Sequence, residues 1–107
     1  MAMSMKQGED GACCCTIEGE MTIYTALELK EQLLAALTQC SALELSTAGV
    51  GEIDSAGLQL LMLTKTEAKA QGKTLSLSDH SAAVLDILAL CNLESFFGDP
   101  VLIRSRG

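Results

Sequence analysis

Two stretches of this chain place apolar side chains at every second residue, Leu43 and Leu45 in one, Leu75 and Leu77 in the other. A run of helical periodicity precedes the first, lies between the two, and follows the second. This order constrains the fold more than any composition figure. Parallel strands need a crossover of a dozen or more residues, normally a helix, so strands alternating with helices imply a mostly parallel sheet. The first helix is expected to open at Thr25, because Thr25-Ala26-Leu27-Glu28 fits the reciprocal capping box. Its apolar positions 26, 29, 33, 37 and 40 form one stripe. The second helix spans 55–71 and stops at Gly72, a glycine suited to the left-handed residue that ends helices. Ser81 caps a third over 82–91. Before the first helix, 13–18 reads as a strand, Gly19-Glu20 as a turn and 21–24 as a second strand paired with the first. Residues 96–100 read as a turn and 101–103 as a last short strand.

The expected order is therefore β-β-α-β-α-β-α-β. The fold class is α/β, a small mostly parallel β-sheet flanked by helices. Residues 1–11 are polar and read as a disordered leader, in part a cloning remnant; 12–107 read as a single domain, large enough to bury a core unaided.

Charge narrows the partners. Fourteen acids face seven bases, giving −7, and the lysines are scattered. Nucleic acid and anionic membrane surfaces both require a gathered basic footprint, so neither is expected. Only three residues are aromatic, too few for a base-stacking platform. A protein partner with complementary basic groups fits better. Cys13, Cys14, Cys15, Cys40 and Cys91 are odd in number and form no C-x-x-C pair, which speaks against a disulfide framework and a zinc ribbon. A metal site from Cys13, Cys15, Cys91 and His80 has no ligand spacing to support it, so the thiols read as reduced core residues, with no metal and no cofactor. The start has no apolar signal-peptide core, and the apolar stretch 82–91 contains Asp86 and is too short to span a bilayer. A soluble, cytoplasmic protein is expected.

The site candidate lies in Glu-Ile-Asp-Ser-Ala-Gly-Leu-Gln-Leu-Leu, residues 52–61. Ser55 stands where a helix follows a loop, so its hydroxyl is either an N-cap or a group offered to the outside. Gly57 is a poor helix former, and a bulky residue there would crowd access to Ser55, which favours the second role. A nucleophile would need a base and an orienting acid, but His80 is the only histidine and no G-x-S-x-G elbow is present, so no enzyme is expected. No Lys-Ser/Thr pair follows the glycines to make a phosphate loop. Phosphorylation remains: the helix N-terminus tolerates the added charge, and Asp54 beside it concentrates negative potential. Leu58, Leu60, Leu61, Met62 and Leu63 exceed what one buried stripe needs, so either this helix is buried on two sides or the 58–62 ridge, with Gln59 on it, carries a partner. The third helix, with Asp86 its only charge, is similarly apolar all round.

The segments GEMTIYTALELKEQL, EIDSAGLQLL and AQGKTLSLSDHSAAVLDILALCNLESFF resemble, in order over about residues 12–103, the STAS domain family. That family includes bacterial anti-sigma factor antagonists and sulphate-transporter C-terminal domains. Asp54-Ser55-Ala56-Gly57-Leu58 is the most specific match. The resemblance implies that Ser55 is a phosphoacceptor for a partner serine kinase that doubles as the anti-sigma factor, with Asp54, Ala56 and Gly57 its switch-site neighbours. Ile53, Leu58, Gln59 and Met62, with Tyr24 and Thr25 nearby, would meet that partner. Thr22 and Ser46 stand where the family commonly has Asp, and the Gly-Glu-Met-Thr-Ile-Tyr and Phe-Phe-Gly-Asp-Pro forms look more like STAS proteins encoded with chemotaxis genes. The short reach beyond Ile103 is also similar to the small STAS subunit of an ABC phospholipid transporter, whose partner is an ATPase. In that alternative, binding is constitutive and Ser55 only caps its helix. A homodimer through the exposed apolar residues is a further option.

Overall fold

In the computed structural model, residues 2–8 and 10–91 are described. Four strands and three helices alternate: β1 (Ala2–Gln7), β2 (Ala12–Met21), α1 (Ala26–Thr38), β3 (Ala42–Ile53), α2 (Ser55–Ala70), β4 (Thr74–Ser78) and α3 (Ala82–Leu90). The sheet order is β1-β2-β3-β4. β1 runs antiparallel to β2, while β2, β3 and β4 are mutually parallel, as the strand–helix alternation requires.

Register explains the core. Cys13, Leu43 and Leu75 pair side by side, and so do Cys15, Leu45 and Leu77. These six side chains share one face of the sheet and are buried together with Leu29, Leu33 and Leu37 of α1 and Leu58, Leu60 and Leu61 of α2. Met3 and Met5 extend that face onto β1. The opposite face carries Cys14, Thr16, Glu44 and Ser76, exposed or half-buried, so the sheet has one apolar side and one polar side. α3 lies along β3, burying Val84, Leu85 and Leu88. Burial pushes the Cys15 and Cys40 thiols up to about 11, with Cys40 and Cys13 nearby adding to it at Cys15 and Cys13 adding to it at Cys40, which favours the protonated thiol at neutral pH.

Several expectations change. The N-terminal residues expected to be disordered form β1, whose alternating Met3 and Met5 cover the edge of α1's face. Gly19-Glu20 is not a turn, and 21–24 is not a second strand. Instead β2 runs unbroken to Met21, and Gly19, at φ 101°, absorbs a register irregularity against β3. β3 likewise continues through the glycines at 49 and 51 that read as a loop. The hairpin partner of β2 is β1, through a turn in which the Gly8 N–H donates to the Ala12 carbonyl at 2.7 Å. Gly72 at φ 72° ends α2, and the Ser81 hydroxyl accepts from the Val84 N–H at 3.2 Å, both as the sequence indicates. The expected turn at 96–100 and strand at 101–103 lie outside the described residues. No described helix is long and apolar enough to cross a membrane.

Candidate functional site

β2 and β3 end side by side, Met21 opposite Ile53, and the chain turns from each into a helix. Loops at the carboxyl ends of parallel strands are where such sheets collect functional groups. Here the two turns are tied together by one side chain. Asp54, not Ser55, caps α2: its Oδ1 accepts from the Ala56 N–H at 2.9 Å and the Gly57 N–H at 3.1 Å. Its Oδ2 accepts from the Ile23 N–H at 3.0 Å, across 31 positions of sequence. The Asp54 N–H in turn donates to the Met21 carbonyl at 3.2 Å. The Ile23 N–H is the largest cause holding the Asp54 carboxyl below its usual range; partial burial opposes it, and the Gly57 and Ala56 amides add to the lowering.

The sign of the resulting pH dependence is fixed. A carboxyl whose folded pKa is depressed stabilises the fold above its unfolded pKa, about 4, and loses that contribution as pH falls through the folded value. Thermal melts of the protein and of Asp54→Asn are therefore expected to differ most near neutrality, with the gap closing below about pH 4. A gap that persists unchanged at pH 3 would show that the carboxylate charge contributes nothing.

With the cap supplied by Asp54, Ser55 occupies the first helical position and is exposed. Thr25 does not form the expected capping box either. Its hydroxyl accepts from the Thr22 N–H at 3.0 Å and donates to the Glu20 carbonyl at 3.0 Å, folding the 22–25 turn on itself. Gly57 has a different role from the one its sequence position suggests. It is buried, and a Cβ built on it would lie 2.1 Å from the Met21 carbonyl oxygen, so it lets α2 start directly against the end of β2.

The apolar surface beside Ser55 is real but differently composed. Leu58 is 6% exposed and belongs to the core, so it is not part of a docking ridge; Ile53 is half-buried against that core. Gln59 is exposed, and Met62 and Ala56 are half-buried. The exposed large apolar side chains here are Tyr24 at 91%, Ile23 and Leu27 at 69%, and Leu63 at 39%. Between α1 and α2 runs an open groove of about 380 Å³, lined by Ala26, Leu27, Lys30, Ala56, Gln59, Leu60 and Leu63. A strand over 21–24 would hide Ile23, but β2 ends at Met21 and leaves Ile23 at the surface. Leu27 and Leu63 were visible as apolar residues next to the buried stripes. His80 is buried, its Nδ1 3.3 Å from the Thr47 hydroxyl, while Ser55 faces solvent. Among the described residues no cluster of His, Cys, Asp and Glu could hold a metal ion.

Known structures share this architecture. A candidate anti-sigma factor antagonist from Thermotoga maritima superposes with a TM-score of 0.77 at 21% identity, covering 87% of this chain and 80% of that one. A sulfate transporter family protein from Wolinella succinogenes gives 0.72 at 22% identity, covering 87% and 76%. The phosphorylated form of the Bacillus cell fate determinant SpoIIAA gives 0.69 at 14% identity, covering 88% and 86%. At these identities the likeness is one of fold. The family model described as Mlab, STAS domain, matches residues 4–103, nearly the whole sequence, and the chain belongs to the STAS domain family.

Proposed function

We propose that this protein is a non-enzymatic signalling module of the anti-sigma factor antagonist type, which binds a protein partner and is switched by phosphorylation of Ser55. One observation carries this reading: Ser55 is exposed and released from capping duty by Asp54, and the next residue, Ala56, lines the apolar groove between α1 and α2. A phosphate there adds roughly −1.5 to −2 charges at a helix terminus that tolerates an anion, so the fold survives. The same charge sits at the edge of a surface that a partner must desolvate, so binding does not. The partner is a serine kinase-type regulator, in an anti-sigma or a chemotaxis-linked circuit. Ser55 has no capping role to fall back on, which weighs against the alternative of a constitutive ABC-transporter subunit in which the serine is merely structural.

The test compares tagged wild type, Ser55→Ala and Ser55→Asp as baits in the source organism, with mass spectrometry of bound proteins and intact mass of the bait. Wild type and Ser55→Ala are expected to retain a kinase-type partner. Ser55→Asp is expected to bind it about a hundredfold more weakly, through like-charge repulsion and uncompensated desolvation. Its melting temperature should move by no more than about 3 °C. An ATPase held equally by all three, with Ser55 unmodified, would instead establish the transporter reading. Recovery of the chain's own second copy alone would make the groove a dimer contact.

A further inference from the structure

The Asp54 carboxylate is divided between two jobs. Oδ1 serves the two amides of its own helix, and Oδ2 serves a single amide of a distant turn. That turn carries Ile23 and Tyr24, two of the most exposed apolar side chains beside the groove. Among the described residues the other side-chain hydrogen bonds of this turn are local: the Thr22 and Thr25 side chains bond within 20–25, the Tyr24 N–H reaching the Thr22 hydroxyl at 3.4 Å. Among the described residues, the Ile23–Asp54 bond is thus the hydrogen bond that ties Ile23 to α2.

We infer that Asp54 is a latch, through which the charge on Ser55 sets the position of the Ile23–Tyr24 turn. The inference rests on the phosphorylation reading above and names how that site is regulated. A phosphate at the first helical position has the Ala56 and Gly57 amides within its natural reach, the same amides that Oδ1 occupies. Two anions then compete for one helix terminus, and adjacent like charges oppose each other. The two helix amides on Oδ1 are also what orient the carboxylate so that Oδ2 meets the Ile23 N–H. Once phosphate takes those amides, the carboxylate turns out toward solvent, away from the like charge, and Oδ2 leaves the Ile23 N–H. The Ile23–Tyr24 turn is released while α2 stays intact. Phosphorylation therefore acts twice, by charge at the rim of the groove and by loosening two apolar anchors at its mouth.

The experiment is residue-resolved amide hydrogen exchange on three proteins: wild type, the protein with phosphoserine installed at position 55 during synthesis, and Asp54→Asn. Direct installation separates this inference from the question of whether a kinase acts in the cell. In the phosphoserine form, the Ile23 amide is expected to exchange about tenfold faster, the loss of one charge-assisted bond, while Leu60 to Thr64 keep their protection. Asn retains one oxygen for the two helix amides but turns an NH₂ toward the Ile23 N–H, so Asp54→Asn should reproduce the effect at Ile23 alone. An Ile23 amide unchanged in the phosphoserine form overturns the latch. So does protection of Ile23 that persists in Asp54→Asn, or a phosphoserine form in which α2 loses protection along with the turn.

Discussion

Gly57→Ala is expected to lower stability by about 3 kcal/mol and the melting temperature by roughly 15 °C, from the addition of a single methyl group. The ideal Cβ would lie 2.1 Å from the Met21 carbonyl oxygen and 2.8 Å from both the Met21 carbonyl carbon and Cβ. The first two of these are backbone atoms in the last residue of β2, whose carbonyl also receives the Asp54 N–H. No flexible side chain can swing away, so α2 must lift from the sheet or β2 must yield. Either movement pulls Asp54 from the Ile23 amide, and partner binding should weaken with stability. The sign is contrary to helix propensity, by which alanine improves on glycine by about 1 kcal/mol. A thermal melt decides it: an unchanged or raised transition would mean that α2 does not start against β2 as described.

Leu61→Ala and Leu63→Ala delete the same atoms two positions apart on one helix, and they should separate fold from function. Leu61 is fully buried beside the sheet, so its truncation leaves a cavity and should cost about 3 kcal/mol, with a range of roughly 2–5. Leu63 is 39% exposed and lines the groove. Its truncation should cost under about 1 kcal/mol of stability yet weaken the partner complex about tenfold or more, as expected for an apolar anchor. Denaturant midpoints measure the first effect and affinity for the partner the second. If Leu63→Ala proved as destabilising as Leu61→Ala and left affinity unchanged, the groove would be a packing defect rather than a docking surface.

The contrast also shows where the sequence was readable. Strand–helix alternation, the Gly72 stop and the Ser81 cap are local signals, and each appears where expected. So does the start of α2 at Ser55, because Asp-Ser-Ala-Gly is a boundary in any reading. The run Leu60-Leu61-Met62-Leu63 has no polar residue to set its phase, so the sequence could not say that Leu58 and Leu61 face inward while Leu63 faces out. Gly19, Gly49 and Gly51 resemble turn residues in a linear reading; only pairing between β2 and β3 reveals that they accommodate irregularities inside long strands. β1 has little signal in a linear reading, because an edge strand covering one face does so with only Met3 and Met5. A linear reading leaves Ser55 as either cap or exposed group and does not single out Asp54 as the cap, because its second partner, the Ile23 N–H, lies in no local window. In a linear reading Gly57 offers clearance to a visitor; in the fold that clearance is needed by Met21.

The Asp54–Ile23 bond has one more consequence, which is topological. The surface around Ser55 draws on the end of β2, the turn after it, the first turns of α1 and the first turns of α2, and these meet only when β3 has been laid alongside β2. It is a conformational epitope: no continuous peptide contains it. A chain still emerging from synthesis, or one that has lost its sheet, displays the serine and its neighbours in sequence but neither the groove nor the anchored turn. Whatever recognises this surface thereby reads the folded state of the molecule along with the identity of one residue.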